Sequence, residues 1–246
     1  MKKLIALAFS LVASLAQASG GPAQLQSSGA DLSDQASLQR GAALFMNYCM
    51  GCHSLKYLRY SRMAADLGLT EEQVMGSMNF TGIKFGEAMT IAMNPADGDK
   101  WIGKAAPDLS LTSRVRGGPD WIYTYLKSFY RDPARPLGWN NVLFPGASMP
   151  NVLWELQGVQ SAVFNAADGA HAGAAPVFSH FEPAQPGRLG AEDYDQVARD
   201  LSNFLQYAAE PAALKRQQIG VWVLLFLAVL TLLTWALKHE YWRDVH

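Results

Sequence analysis

The fold is decided by a sixteen-residue stretch, residues 38–53, which reads LQRGAALFMNYCMGCH. Its apolar residues recur every three or four positions, a spacing that predicts one buried face of an amphipathic helix. They are Leu38, Ala42, Phe45 and Cys49. The predicted helix leads directly into Cys49, Cys52 and His53, which share one face of a helical turn because they stand at i, i+3 and i+4. Two thiols and an imidazole are therefore expected to point into the same space.

This Cys-x-x-Cys-His sequence is the attachment signature of a c-type haem. Cys49 and Cys52 would meet the two vinyl groups of an attached haem, and the His53 imidazole would point at the iron. Gly51 removes a side chain where the porphyrin edge must approach the backbone closely. We therefore predict one haem c, attached covalently through Cys49 and Cys52, with His53 as an axial ligand.

Two other interpretations of the cysteine pair are a thioredoxin-like dithiol and half of a zinc site. A redox dithiol normally opens a helix after a strand, whereas the residues before Cys49 have a helical pattern. Zinc needs two more ligands, and the chain has no second Cys-x-x-Cys motif. His171 and His180 remain possible partners, but they lie far along the chain among small residues. Haem attachment fits the pentapeptide better than either alternative.

The second axial ligand is sought among the nine methionines, His171 and His180. Met149 is favoured because it lies in a rigid, proline-containing loop, 144–150, far in sequence from His53. Met93 and His180 are the alternatives. Other methionines lie in helical patterns and are expected in the core; they include Met46, Met63, Met75 and Met89. Histidine and methionine together leave no open position on the iron, which favours electron transfer over substrate chemistry.

The N-terminal residues predict export. Lys2 and Lys3 precede an apolar run from Leu4 to Leu15, and a small-x-small cleavage sequence, Ala16 to Ala18, follows it. A twelve-residue run rises only about 18 Å as a helix, too little to span a membrane. We therefore expect a signal peptide that is cleaved after Ala18.

The C-terminal run from Ile219 to Leu237 predicts a membrane anchor. It holds nineteen residues without a charge and rises about 28 Å as a helix, enough to span a bilayer. Basic residues flank it equally, so the expected orientation comes from the export signal. We expect a single-pass protein of the bacterial cytoplasmic membrane. Its expected parts are a signal peptide (1–18), a periplasmic haem domain (19–216), a transmembrane helix (217–238) and a cytoplasmic tail (239–246).

Between the cysteines and the anchor, the pattern predicts helices and long loops. One helix is expected from Pro119 to Tyr130, and a second has its apolar face between Tyr194 and Ala208. Pro, Gly and Asn crowd residues 132–150, and Ala, Gly and Pro crowd residues 160–190, which predicts loops. No convincing strand is found. The expected fold class is mainly α, a cytochrome c-like haem domain with long loops and one C-terminal transmembrane helix.

Composition excludes other broad classes. Half of the residues are apolar, which is enough for a packed core and argues against a disordered chain. The formal net charge is -1, without the basic surplus that a nucleic-acid-binding protein normally has. No nucleic-acid partner is expected.

Four further segments make the chain resemble the cytochrome c1 family. They are residues 49–57 (CMGCHSLKY), residues 106–118 (APDLSLTSRVRGG), the FPG of 144–146 with Met149-Pro150, and the YAAEP of 207–211 just before the anchor. They occur in the family's order and cover nearly all of the chain after residue 18. Many cytochromes have the Cys-x-x-Cys-His motif, whereas far fewer share the Pro-Asp-Leu-Ser and Ala-Ala-Glu-Pro segments.

The resemblance implies roles for individual residues. Cys49 and Cys52 would be the thioether links and His53 and Met149 the axial ligands. Arg116 would pair with a haem propionate, since a guanidinium offers several donors to a carboxylate. Pro107 would supply a backbone carbonyl near His53. This chain departs from many members in having Ala106 where they have a second proline.

The resemblance also implies partners and a function. The chain would be the haem c subunit of a quinol-cytochrome c reductase, redox-active but without catalytic residues of its own. It would take electrons from a Rieske iron-sulfur subunit and pass them to a cytochrome c, with a cytochrome b subunit beside it in the membrane. The alternatives are a membrane-tethered cytochrome c that donates to a terminal oxidase, a haem peroxidase with an open axial position, and a thiol or metal module without haem.

Overall fold

A computed structural model describes residues 25–165 and 176–244 of the chain. The expected signal peptide and His171 lie outside these residues. The helices are α1 (Gln35–Leu44), α2 (Tyr60–Leu67), α3 (Glu71–Ser77), α4 (Pro95–Ile102), α5 (Thr112–Val115), α6 (Pro119–Lys127), α7 (Trp154–Gln157), α8 (Ala191–Ala209) and α9 (Ala213–Tyr241). A π-helical turn, Phe45–Cys49, continues α1.

The strands pair into three two-stranded antiparallel sheets. They are β1 (Leu55–Arg59) with β2 (Ala88–Met89), β3 (Phe129–Arg131) with β4 (Trp139–Asn141), and β5 (Gly158–Asn165) with β6 (Val177–Pro186). The core consists mainly of side chains from α1, α2, α6 and α8, and the first sheet adds Leu55, Leu58 and Met89 to it.

Local sequence sets where the helices begin. The Asp34 carboxylate accepts a hydrogen bond from the backbone N–H of Ser37 and caps α1. Thr70 and Gln73 form a reciprocal capping box at the start of α3. Pro119 occupies the first turn of α6, where its missing N–H has no helical partner to lose. These capping signals involve residues close together in the chain, so they can be recognised from the sequence.

The closest helix crossing joins α1 to α8. Gly41 of α1 lies against the backbone of α8, and a Cβ atom added to it would be 2.1 Å from the carbonyl oxygen of Asp200. No other residue type fits this contact without moving a helix. Beside it, Phe45 and Phe204 pack with ring centroids 5.6 Å apart, and both are fully buried. The crossing therefore fixes the helix that leads to Cys49.

Polar side chains also form hydrogen bonds across the interface between α1 and α8. The carboxylate of Asp200, which is only 2% exposed, accepts hydrogen bonds from Ser37 Oγ (2.7 Å) and Arg40 Nε (2.7 Å) on α1. Gln196 Nε2 of α8 adds a third bond at 2.8 Å. A buried carboxylate is tolerated only when it is paired and hydrogen-bonded in this way. The contact specifies how α1 and α8 pack.

The predicted fold class is confirmed: the domain is mainly helical and ends in one long apolar helix. The pattern from Leu38 to Cys49 is helical throughout, and α8 covers the predicted face from Tyr194 to Ala208. The helix expected from Pro119 to Tyr130 is shorter, since α6 ends at Lys127 and Tyr130 belongs to β3.

The prediction of loops over residues 160–190 was wrong in part. Residues 158–165 and 177–186 form the long hairpin β5–β6. Its strands are mostly half-exposed or exposed, and no face is buried. A strand with no buried face has no reason to alternate apolar and polar residues, which is why the pattern gave no signal.

Helix α9 is long and apolar enough to cross a membrane, with a mean hydropathy of 2.4 in its most apolar window and none of that window buried against the domain. It begins at Ala213, a few residues before the apolar run, and ends at Tyr241. Arg62 and Tyr207 both bond the Asp66 carboxylate near the start of this helix, and Arg62 also reaches the carbonyl oxygen of Pro211. The anchor is thereby attached to the folded domain.

Candidate haem site

One cavity of about 560 Å³ brings together all six residues that the sequence singled out. This volume lies within the range of cofactor and ligand pockets. Its walls come from the π-helical turn, the segment before α5, helix α6, the loop that precedes α7, and α8. The six residues are Cys49, Cys52, His53, Pro107, Arg116 and Met149.

Cys49 ends the π-helical turn, and Cys52 and His53 follow it without a break. The backbone N–H of Met50 bonds to the carbonyl oxygen of Phe45, five residues earlier, at 2.9 Å. The carbonyl oxygen of Cys49 then accepts from Cys52 N (3.0 Å) and His53 N (2.9 Å). This compact turn places both cysteine side chains and the imidazole along the cavity wall.

The orientation of His53 is fixed by Pro107. His53 Nδ1 lies 2.7 Å from the carbonyl oxygen of Pro107. A carbonyl oxygen can only accept, so Nδ1 carries the proton and Nε2 keeps its lone pair. Ligating histidines usually donate their other ring N–H in this manner. The imidazole is only 8% exposed, and burial lowers its pKa, with the Pro107 bond acting in the opposite direction. Burial outweighs the bond, so the net lowering of the pKa leaves a neutral ring suited to bind a metal.

The segment around Pro107 is attached to the strand after His53 by several hydrogen bonds. The Asp108 carboxylate accepts from Lys56 N (2.9 Å), and Ser110 Oγ accepts from Tyr57 N (3.1 Å). Leu109 N donates to the carbonyl oxygen of Ser54 at 2.9 Å. The Pro-Asp-Leu-Ser motif thus has a structural reason: it places the Pro107 carbonyl beside the imidazole.

The thiol chemistry argues against a redox dithiol. Burial raises the pKa of the Cys49 thiol to about 12, and the nearby Cys52 thiol adds to this effect. Reactive dithiols instead need a lowered pKa, because the thiolate is the nucleophile. Within residues 25–165 and 176–244, no cluster of three or more His, Cys, Asp or Glu could hold a metal ion. The zinc interpretation therefore finds no support in this part of the chain.

Met149 lies on the loop between β4 and α7, which side-chain amides hold in place. Asn141 is fully buried, and its Oδ1 accepts from Leu143 N (2.9 Å) and Phe144 N (3.0 Å). Its Nδ2 donates to the carbonyl oxygen of Tyr125 in α6 at 2.8 Å. Asn140 Oδ1 accepts from the N–H of Gly146, whose φ of +80° suits a glycine. These bonds replace the regular backbone pairing that the loop lacks.

Among the described residues, the alternative ligand candidates and the other methionines lie outside this cavity. Met93 and His180 are absent from the cavity lining, and His180 lies on β6 beside Glu182. Met46, Met63 and Met89 are buried in the core, as expected, although Met89 belongs to a strand and not to a helix. Met75 is half-buried on α3.

Arg116 lies at the mouth of the cavity, between two aromatic rings. Its guanidinium carbon is 5.2 Å from the centre of the Trp121 ring and 5.1 Å from that of Phe144. No carboxylate among the described residues forms an ion pair with Arg116. Aromatic faces can hold a guanidinium while leaving its N–H groups available for an anion.

Sequence reasoning missed the contributions of Asn141 and Tyr125. The pair Asn140-Asn141 was read only as a turn signal, yet Asn141 connects α6 to the loop of Met149. Tyr125 lines the cavity, and burial raises the pKa of its hydroxyl to about 12. A long-range bond of a polar side chain leaves no periodic trace in a sequence, so no local signal could have identified either role.

The lining fits a covalently attached haem c. Two thiols on one turn, an imidazole with a free Nε2 and a thioether line one largely apolar cavity, and an arginine stands at its mouth. The sequence also matches the model of the Cytochrome C1 family over residues 27–173 and 190–245. The chain belongs to the cytochrome c1 family. Members carry a covalently bound haem c and act as electron-transfer subunits of the cytochrome bc1 complex.

Individual cytochrome c1 sequences agree with this assignment. Cytochrome c1 of Allochromatium vinosum is 51% identical over 247 residues, which cover all of both chains. Cytochrome c1 of Rhodospirillum rubrum is 33% identical over 86% of this chain and 83% of its own. A protein of Nitrosomonas europaea named ammonia monooxygenase gamma subunit is 39% identical over all of this chain and 99% of its own. The similarity therefore extends over the whole length.

Proposed function

We propose that this chain carries electrons from a Rieske iron-sulfur subunit to a cytochrome c, within a quinol-cytochrome c reductase. A bound haem c supplies an iron that alternates between the ferrous and ferric states. Cys49 and Cys52 hold it through thioethers, and His53 Nε2 and the Met149 sulfur bind its iron. The observation that carries this proposal is the placement of His53 and Met149 along one cavity, because an iron held by both residues would have no position left for a substrate.

The remaining cavity residues have supporting roles in this proposal. The Pro107 carbonyl oxygen accepts a hydrogen bond from His53 Nδ1 and holds the ring so that Nε2 faces the cavity. Arg116 binds a propionate, with its guanidinium presented by Trp121 and Phe144. The exposed apolar side chains of Leu111 and Val115 at the cavity mouth suit brief contact with a redox partner.

The topology belongs to the same proposal. Residues 1–18 are a cleaved signal peptide, residues 19–216 lie in the periplasm, residues 217–238 cross the cytoplasmic membrane and residues 239–246 are a cytoplasmic tail. The exposed, apolar surface of α9 supports the crossing and contact with a cytochrome b subunit in the membrane. The periplasm is also where a Rieske head and a cytochrome c would meet the haem domain.

Replacing Met149 with leucine tests the proposed sixth ligand. Because a thioether favours ferrous iron, Met149→Leu should lower the reduction potential by about 120 mV or more, a hundredfold change in the equilibrium constant. The reduced variant should also bind carbon monoxide, while haem staining on a denaturing gel stays positive because both cysteines remain. Met93→Leu is the matched control and should change neither property. An unchanged potential in Met149→Leu, with no carbon monoxide binding, would show that another residue binds the iron.

Purification of the full-length chain through a C-terminal affinity tag, in mild detergent, tests the proposed partners. A b-type cytochrome and a Rieske protein should be recovered with the chain in equal amounts. Recovery of a terminal oxidase would support the tethered-donor alternative, and recovery of ammonia monooxygenase subunits would favour the role named for the Nitrosomonas relative. Either result, without the Rieske protein, contradicts the proposed route.

A further inference from the structure

The hydroxyl of Tyr125 lies next to the sulfur of Met149. The distance from Tyr125 Oη to Met149 Sδ is 3.7 Å, suitable for an O–H···S hydrogen bond, and both residues line the cavity. Among the described residues this sulfur is the one hydrogen-bonding partner of the hydroxyl. A thioether sulfur has two lone pairs, so one can bind a metal while the other accepts this bond.

The packing around Tyr125 holds the hydroxyl in this position. Its ring stacks on Trp121 at a centroid distance of 5.0 Å and an interplanar angle of 11°. The edge of Phe129 closes the other side, with centroids 4.9 Å apart. The Asn141 amide connects the backbone of Tyr125 to the loop that carries Met149. Ring and sulfur are therefore fixed relative to each other.

We propose that Tyr125 is a positioning residue that tunes the reduction potential by donating a hydrogen bond to the Met149 sulfur, an inference that rests on the proposed ligation. A donor on the second lone pair withdraws electron density from the sulfur. The sulfur then donates less to the iron, which stabilises the ferrous state and raises the potential. The bond also restrains the thioether against rotation about its terminal torsions.

The first test removes only the hydroxyl, by Tyr125→Phe in the full-length protein in its native membrane or in detergent. A neutral hydrogen bond of this kind corresponds to a change of about three- to tenfold in the equilibrium constant for reduction, or about 30–59 mV downward for a one-electron couple. The long-wavelength absorption band of methionine-ligated ferric haem should persist but shift. Tyr130→Phe removes a hydroxyl from a tyrosine outside the cavity and should leave potential and band unchanged.

A double-mutant cycle separates this inference from the ligation on which it rests. Combined with Met149→Leu, the Tyr125→Phe change should have no further effect on the potential, because the acceptor is gone. A shift of equal size in both backgrounds would mean that the hydroxyl acts on something else. If Tyr125→Phe causes no shift in the protein that retains Met149, the inference is overturned while the ligation is left intact. Absence of the methionine band from the wild-type protein would instead refute the proposed ligation itself.

Discussion

The two walls of the haem cavity are built by different means. The His53 wall follows α1 and a π-helical turn, and it depends on close helix packing at Gly41. The Met149 wall is an irregular loop without helical bonds, held by the amides of Asn140 and Asn141. One wall therefore depends on shape and the other on hydrogen bonds. The first should respond to added volume and the second to lost polar groups.

The largest effect is expected from Gly41→Ala on the His53 wall. The new Cβ would lie 2.1 Å from the Asp200 carbonyl oxygen, so α1 and α8 must separate. We expect a loss of about 3–5 kcal/mol in the free energy of unfolding, measured by denaturant titration, and less accumulated haem protein. Gly76→Ala is the control. It also adds a methyl group inside a helix, has open space around it, and should stabilise by up to about 1 kcal/mol. Equal results for both variants would contradict the packing described for α1 and α8.

An intermediate effect is expected from Asn141→Ala on the Met149 wall. The change leaves the Tyr125 carbonyl and the N–H groups of Leu143 and Phe144 without their partner, at a cost of about 2–4 kcal/mol. Covalent haem should remain, and, because Met149 is the proposed iron ligand, carbon monoxide binding to the reduced protein would report that the loop has moved away from the iron. Asn47→Ala, at an exposed asparagine within the π-helical turn, should change stability by less than about 0.5 kcal/mol. Retention of full Met149 ligation in Asn141→Ala would show that the loop does not need this amide.

The smallest effect concerns Asp195, which joins α8, the helix packed against the His53 wall, to α6, the helix bonded to the Met149 wall. Burial opposes its ionisation, but hydrogen bonds from Lys127, Tyr123 and Arg199 outweigh it and lower the pKa of Asp195 to about 2. A lowered carboxyl pKa stabilises the fold above the unfolded value, near 3.8, and this contribution is lost as pH falls through about 2. Asp195→Asn should therefore cost about 0.5–1 kcal/mol at neutral pH and progressively less between pH 4 and pH 2. Unfolding titrations at several pH values measure the difference, and a constant difference would contradict the assigned pKa.

Features that depend on local sequence patterns could be predicted from the sequence, whereas features that depend on contacts between distant residues could not. The helix into Cys49, helix α8 and the apolar anchor were predicted because each repeats its pattern within a few turns. The cavity residues were found through short motifs whose chemistry is local, or through the family resemblance. Their roles toward a bound haem stay predictions, although the structure places all six along one cavity.

What sequence reasoning missed depends on contacts between distant residues. The hairpin β5–β6 is defined by backbone pairing, with no buried face to order its side chains. Asn141 acts through three bonds whose partners are chosen by the fold. The need for glycine at position 41 likewise comes from its close contact with Asp200, which is far along the chain. Such pairings exist only after the chain has folded.

The π-helical turn sets the rotational phase of the cysteine motif. Its five-residue hydrogen-bonded turn contains one residue more than an α-helical turn would need. If the same five residues were wound at the α-helical 100° per residue, everything that follows would be rotated further relative to α8. The thiols and the imidazole would then face away from the loop of Met149. The wide turn, together with the identity of Cys49, Cys52 and His53, therefore decides which way the motif faces.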